Sequence, residues 1–370
     1  MPSVVAYISG HGFGHASRTI ELLNALADRD PSLRIHARSE VAPWLFSATA
    51  RPGITVEGVA CDTGAVQIDS LQLDEAETIR QAQLFMGDFK ARVAVEVEAL
   101  RALQTTLVIA DTLPLGIAAA SAAGVPAVLL GNFTWDWIYR DYAGGEAVAD
   151  AIGAIYRRAD LALRLPLHGG FETCPHLRDL PFIARRSKRV GGEVRAALGL
   201  PHGLPLALVS FGGFGVQGLD LAALARTEGF GIVMSGTTFV DGRPLGDRGT
   251  TGALIPLDEP AMYARGYRYE DVVRGVDVVV SKPGYGIIAE CAANGAAILY
   301  TSRGRFAEYE VLVEGMPRYL RTRFIDRAAF LTGDWSGPLA SLIAQPPPSA
   351  RADVSGADVA ADLLLSMIYG

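Results

Sequence analysis

Short apolar runs alternate along nearly the whole of this chain with longer segments of helical period, and no other feature constrains its fold so strongly. This is the pattern of parallel strands covered on both faces by helices, because a strand buried on two sides has no polar face to show. In the first half the strand candidates are 4–9, 33–37, 55–59, 106–110 and 126–130, with a weaker one at 161–165. Between them, 17–27 sets Ile20, Leu23 and Ala27 on one face, 74–103 reads as one long charged helix, and 115–123 as a small-residue helix. The expected fold class is α/β with doubly wound parallel sheets.

The segment 174–199 breaks the pattern with Pro175, Pro181 and the basic run 185–189, read here as a solvated linker. The alternation then restarts, with strands expected at 206–210, 231–235, 276–280 and 297–300 and helices at 219–226 and 285–294. Two Rossmann-like domains are expected, at 1–180 and 190–345. The proline run 346–348 is a stiff connection to a closing helix within 352–370, expected to pack back on the first domain.

Composition narrows the function. A chain of 370 residues suits two domains, and 33 Lys+Arg against 40 Asp+Glu leaves a net charge of -7, without the basic footprint of a nucleic-acid binder. Cys61, Cys174 and Cys291 are too scattered for a disulfide framework or a CxxC metal site. Neither a signal peptide nor a membrane span is legible, so a cytoplasmic protein is expected, with peripheral membrane contact left open.

Four constellations carry chemistry. Ser9 to His15 places Gly10, Gly12 and Gly14 with His11 and His15 between an apolar strand and an amphipathic helix, where ligands collect at the carboxyl ends of parallel strands. The GxGxG spacing is not the GxGxxG dinucleotide fingerprint. The histidines suit a general base or donors to a sugar or phosphate oxygen, and equally a tight turn that caps the helix. Asp111, directly after the fourth strand, either caps the next helix or orients a histidine. Asn132, Phe133, Trp135, Asp136 and Trp137 follow the fifth strand and suit either an acceptor face or core packing.

In the second half, Ser210 to Gly215, with Gly213 and Phe214, occupies the place that the His-Gly loop holds in the first. The most specific signal runs from Asp277 to Gly295. A strand ends at Ser281-Lys282-Pro283-Gly284-Tyr285-Gly286, a helix starts, and Glu290 lies in its first half. Amides at such a helix start hold a diphosphate, with Ser281 and Lys282 as further donors and Glu290 placed to accept from a ribose diol. Glu308 sits in an acidic cluster after the next strand.

The order of these loops resembles glycosyltransferases of the GT-B fold, especially the branch of the lipid-linked peptidoglycan GlcNAc transferase. The stretches YISGHGFGHASR (7–18), NFTWDWIY (132–139) and KPGYGIIAECA (282–292) are similar to the glycosyltransferase-like N-terminal half of L-arabinokinase and its bacterial stand-alone relatives. The sugar-kinase half of that protein has no counterpart here, and kinase activity is not carried over.

The resemblance implies that the second domain binds a nucleoside-diphosphate sugar, UDP-linked, as co-substrate, with no other cofactor. Gly284, Tyr285 and Gly286 match the phosphate-holding turn and Glu290 the ribose contact. Glu308 matches the region that reads the donor sugar, Tyr267 the base-contacting loop, and Gly213 and Phe214 the glycine-rich loop. His15 matches the first-loop histidine, with His11 and Asp111 as further catalytic candidates. Gly12, Phe13, Gly14, Asn132, Trp135 and Asp136 are the acceptor candidates. The implied reaction is inverting, metal-independent hexosyl or N-acetylhexosaminyl transfer, helix amides and Lys282 stabilising the leaving diphosphate. The only Asp-x-Asp, Asp28-Arg29-Asp30, reads as surface. A nucleotide-sugar 2-epimerase and a non-catalytic nucleotide-sugar sensor are the rival readings.

Overall fold

The computed structural model describes residues 1–211, 216–234 and 252–370, together with the backbone of 239–240 and 243–244. Gly213 and Phe214 lie outside the described residues. The first lobe is built on Ser3–Tyr7 (β1), Arg34–Arg38 (β2), Thr55–Glu57 (β3), Leu107–Asp111 (β4), Ala127–Phe133 (β5), Leu161–Gly169 (β6) and Leu177–Asp179 (β7). They form one seven-stranded sheet in the order β3-β2-β1-β4-β5-β6-β7, parallel throughout. Every residue of β1, β4 and β5 is buried, which explains why their sequences are apolar without a period of two.

The second lobe uses Leu206–Val209 (β8), Gly231–Met234 (β9), Leu254–Pro256 (β10), Val278–Ser281 (β11), Ala297–Tyr300 (β12) and Thr322–Phe324 (β13). Its six parallel strands run in the order β10-β9-β8-β11-β12-β13. In both sheets the strand order reverses beside the first strand, the switch point at which open α/β sheets bind ligands.

The sequence-based reading differs from the fold at the sheet edges and helix starts. The edge strands β7, β10 and β13 are three residues each and too short to stand out. The single helix expected over 74–103 is two, Glu75–Gly87 and Phe89–Ala102, meeting at Asp88. The first helix starts four residues early, at Phe13.

One apolar core runs from Leu23, Leu107 and Leu163 in the first lobe through Phe182 and Ile183 to Val279, Ile288 and Leu312 in the second. The last helix, Gly356–Tyr369, contributes Leu364 to that core. It lies against Phe13–Arg29, where Arg29 pairs with Asp358 at 2.9 Å and Asp362 at 2.6 Å. Tyr369 donates its hydroxyl to Asp30, and Asp28 is held by Arg51 at 2.7 Å. A hairpin of Gln67–Asp69 and Gln72–Leu73 crosses the other way. Its Leu71 is buried with the core of the second lobe, and Ser70 Oγ donates to the Phe211 carbonyl at 2.8 Å.

Candidate active site

Strand β1 ends at Tyr7, and the loop after it turns into a helix at Gly12, whose φ of 79° is a left-handed value that favours glycine. Helix Phe13–Arg29 has no side-chain cap and no acid in its first turn, so its free amides face the cleft between the lobes. His15 therefore sits in the first helical turn. Its Nδ1 lies 2.8 Å from Asp111 Oδ1 at the end of β4.

Asp111 is fully buried. It accepts from Arg18 Nε at 2.9 Å, Arg18 Nη2 at 2.5 Å and Thr19 Oγ1 at 2.5 Å. Burial works against the carboxylate, but Arg18 and His15 more than offset it and hold Asp111 well below the usual carboxylate range. An ionised carboxylate only accepts, so His15 Nδ1 carries the proton and Nε2 remains the basic atom. The helix after β4 takes Leu113, not Asp111, as its N-cap. Of the two roles open in the sequence, the geometry has Asp111 orient the histidine.

His11 also lines the cleft, but its nearest carboxylate, Asp62, is 3.9 Å from Nε2. That carboxylate already accepts from Ser9 Oγ at 2.7 Å.

Across the cleft, β11 delivers Ser281, Lys282 and Gly284 to the start of helix Tyr285–Asn294. Gly284 is its N-cap, again with neither a capping side chain nor a first-turn acid. A Cβ built at Gly284 would meet nothing within 4 Å among the described residues, where the turn opens to the cleft. Lys282 Nζ donates to Gln67 Oε1 of the crossing hairpin at 2.7 Å. Burial, helped by Arg303, pushes its pKa down to about 7. Ser281 Oγ donates to the Ser210 carbonyl at 2.6 Å, and the Tyr285 hydroxyl accepts from Ile183 N at 3.1 Å.

A buried polar relay joins the lobes. Arg18 Nη1 donates to Asn132 Oδ1 at 2.6 Å, and Asn132 Nδ2 donates to Glu308 Oε1 at 2.7 Å. Arg303 Nη1 approaches Glu308 Oε2 at 3.4 Å and the Pro283 carbonyl at 3.3 Å.

At the other end of the cleft, Glu290 is buried and accepts from Arg185 Nε at 2.6 Å. Burial raises the Glu290 carboxyl and Arg185 pulls it back. This corrects the reading of 185–189 as a solvated run: Arg185 is buried and lines the cleft, while Arg186, Lys188 and Arg189 are exposed. Phe13, Trp44 and Tyr263 form an aromatic rim, with centroids 5.6 Å and 5.8 Å apart in succession.

Gly12, Phe13, Gly14, Asn132 and Trp135 also line the cleft. Asp136 does not: it is buried behind it, accepting from Thr173 Oγ1 at 2.9 Å. Tyr267 is likewise outside the cleft, stacked under Arg189 at 4.2 Å, and Tyr263 and Tyr269 of the same stretch face the cleft instead. Sequence reasoning passed over Arg18, Arg185, Arg303 and Trp44. Arg18 was within reach, since it lies one helical turn after His15 and shares its face.

No family model matches the chain. Over its full length it superposes on the calicheamicin glycosyltransferase CalG4 with a TM-score of 0.63 at 16% identity, covering 98% of that chain. The glycosyltransferase of kitacinnamycin superposes with a TM-score of 0.66 at 17% identity, over 99% of both chains. The fold is GT-B. A third GT-B neighbour is Phytolacca americana UGT2, solved with UDP-2fluoro-glucose and pterostilbene, at a TM-score of 0.59 and 14% identity over 100% of this chain and 94% of that one. In sequence, the chain is 26% identical over 379 residues to Arabidopsis thaliana L-arabinokinase, covering 98% of this chain and 34% of that protein. It thus spans about a third of the curated relative it matches. Among the described residues, no helix of this GT-B chain is long and apolar enough to cross a membrane.

Proposed function

We propose that this GT-B chain is an inverting glycosyltransferase that moves a hexose-type sugar from a uridine-diphosphate donor to a hydroxyl acceptor. One observation carries the reading: His15, its Nδ1 held by Asp111, lines the same cleft as the uncapped N-terminus of helix Tyr285–Asn294. A base and an anion-binding helix start facing one gap are what displacement at an anomeric carbon requires. The UDP-2fluoro-glucose bound by the Phytolacca neighbour supports a uridine donor. The first-loop histidine and the 281–290 turn support a place beside the peptidoglycan GlcNAc transferase branch.

In the proposed step, His15 Nε2 takes the acceptor hydroxyl proton as the oxygen attacks the anomeric carbon. The bond from that carbon to the diphosphate oxygen breaks, and the charge passes to the leaving group. Amides at the start of Tyr285–Asn294, with Lys282, stabilise that charge as it develops. The positive charge of the imidazolium is balanced by Asp111. Direct displacement inverts the anomeric configuration.

The test is incubation of the purified chain with UDP-sugars and a panel of acceptors, reading glycosylated product and its anomeric configuration. Transfer with inversion is expected. A chain that binds UDP-sugars yet transfers to no acceptor, or that gives a retained product, overturns the proposal.

A further inference from the structure

The corner of the cleft beyond the phosphate turn is rich in donors and short of acceptors. Arg303 lines it with only 9% of its surface exposed. Among the described residues its two hydrogen bonds, to Glu308 and the Pro283 carbonyl, are long at 3.4 Å and 3.3 Å, and its buried Nε has no partner. The guanidinium lies over the Phe306 ring at 4.3 Å, which fixes its plane. Phe306 packs on Phe133, and Phe133 on Trp135, whose Nε1 is a second buried donor without an acceptor.

Each acceptor of this corner already carries a donor. Glu308 Oε1 takes the Asn132 amide and Oε2 faces Arg303, while Asn132 Oδ1 takes Arg18. Buried donors with no acceptor are costly, and a buried guanidinium most of all. A sugar hydroxyl adds a further donor with each acceptor it brings to such a corner. A carboxylate only accepts, and it matches the planar fork of an arginine.

Arg303 borders the phosphate turn, its Nη1 3.3 Å from the Pro283 carbonyl, but it comes with Phe306 and Glu308 from the segment after β12, one strand over from β11. It thus stands at the border between the diphosphate and the next moiety of the donor. Resting on the glycosyltransferase reading above, we propose that Arg303 binds a carboxylate on the transferred sugar, which makes the donor a nucleoside-diphosphate hexuronate.

The experiment is calorimetry on the full chain with UDP, UDP-glucose and UDP-glucuronate, repeated with Arg303→Gln. UDP-glucuronate is expected to bind about 10- to 100-fold more tightly than UDP-glucose, the range of a charged hydrogen-bonded pair. At pH 6, where the Lys282 ammonium is charged with or without Arg303 beside it, Arg303→Gln is expected to abolish that preference and to leave UDP affinity unchanged within about twofold. Equal binding of the two sugars overturns the proposal. So does an equal loss of UDP affinity in the variant, which assigns Arg303 to the diphosphate. The methyl ester of UDP-glucuronate repeats the test on the unmodified protein: loss of the preference supports the carboxylate contact, and its retention removes it. If none of the three ligands binds, the glycosyltransferase reading itself falls, and the proposal with it.

Discussion

Gly14 and Gly286 meet backbone to backbone across the cleft: a Cβ built on Gly286 would stand 3.1 Å from the Gly14 Cα. Each belongs to the first turn of a helix whose amides are uncapped, so the contact brings two anion-attracting helix starts together on one gap. A side chain at Gly286 would press on that backbone, whereas a Cβ at Gly14 would stand an ordinary 4.0 Å from Gly286. Gly286, expected from the sequence in a phosphate-holding turn, is here also a condition of lobe contact.

Gly286→Ala is therefore expected to cost about 1–3 kcal/mol through overpacking, read as a lower denaturant midpoint at an unchanged slope. Gly284→Ala is the contrast. Its backbone is extended at φ -158° and its Cβ meets open space, so unfolding should move by less than about 0.5 kcal/mol while UDP binding weakens.

His15→Ala should lower turnover by roughly 10²- to 10⁴-fold with UDP affinity retained, because the imidazole acts on the acceptor proton. Single-turnover rates and calorimetry on the same preparation check both halves. A folded variant with normal turnover places the base elsewhere.

Removing Arg18 should damage the fold as well as the reaction. Arg18→Ala takes two charge-assisted hydrogen bonds from buried Asp111 and the one that holds Asn132. Leaving a buried charge without its main partner costs about 3–5 kcal/mol, measurable by urea unfolding. Asn132→Ala, which removes the hydrogen bonds to Arg18 and Glu308 but leaves Arg18 on Asp111, should cost about 1–3 kcal/mol.

The Lys282 ammonium, pushed down to about 7 by burial and Arg303, gives opposite pH signs for folding and binding. Between pH 7 and the ordinary lysine value of about 10.4, the unfolded chain binds one more proton than the folded one, so this group makes stability rise with pH. UDP affinity should fall across the same window, by at most about tenfold per pH unit, as the charge that meets the diphosphate is lost. Lys282→Met should flatten that dependence in calorimetry.

Glu290→Ala should weaken UDP binding by about 1–3 kcal/mol if one ribose hydrogen bond to a charged group is lost. It should also destabilise the free protein, because Arg185 loses its hydrogen-bonded carboxylate and is left with Glu270 at 3.9 Å. Glu290→Gln separates the effects: it keeps an acceptor for the ribose while removing the charge that Arg185 requires.

The alternation of apolar runs determined the fold class, because buried parallel strands and their covering helices impose it locally, residue by residue. The same local logic placed Gly12, Gly284 and Gly286 at strand-to-helix turns, and Lys282 and Glu290 around one of them. Strand edges such as Leu177–Asp179 escaped it, since three exposed residues pair by position in the sheet and not by pattern. What only the tertiary structure decided is partnership. Asp111 reaches His15 across 96 positions and Asn132 reaches Glu308 across 176, while Arg185 leaves a run of surface charges to lie buried on Glu290. Charge pattern along the chain cannot distinguish that arginine from its neighbours. Burial can, because a guanidinium removed from water is tolerated only where a carboxylate from elsewhere in the fold is waiting for it.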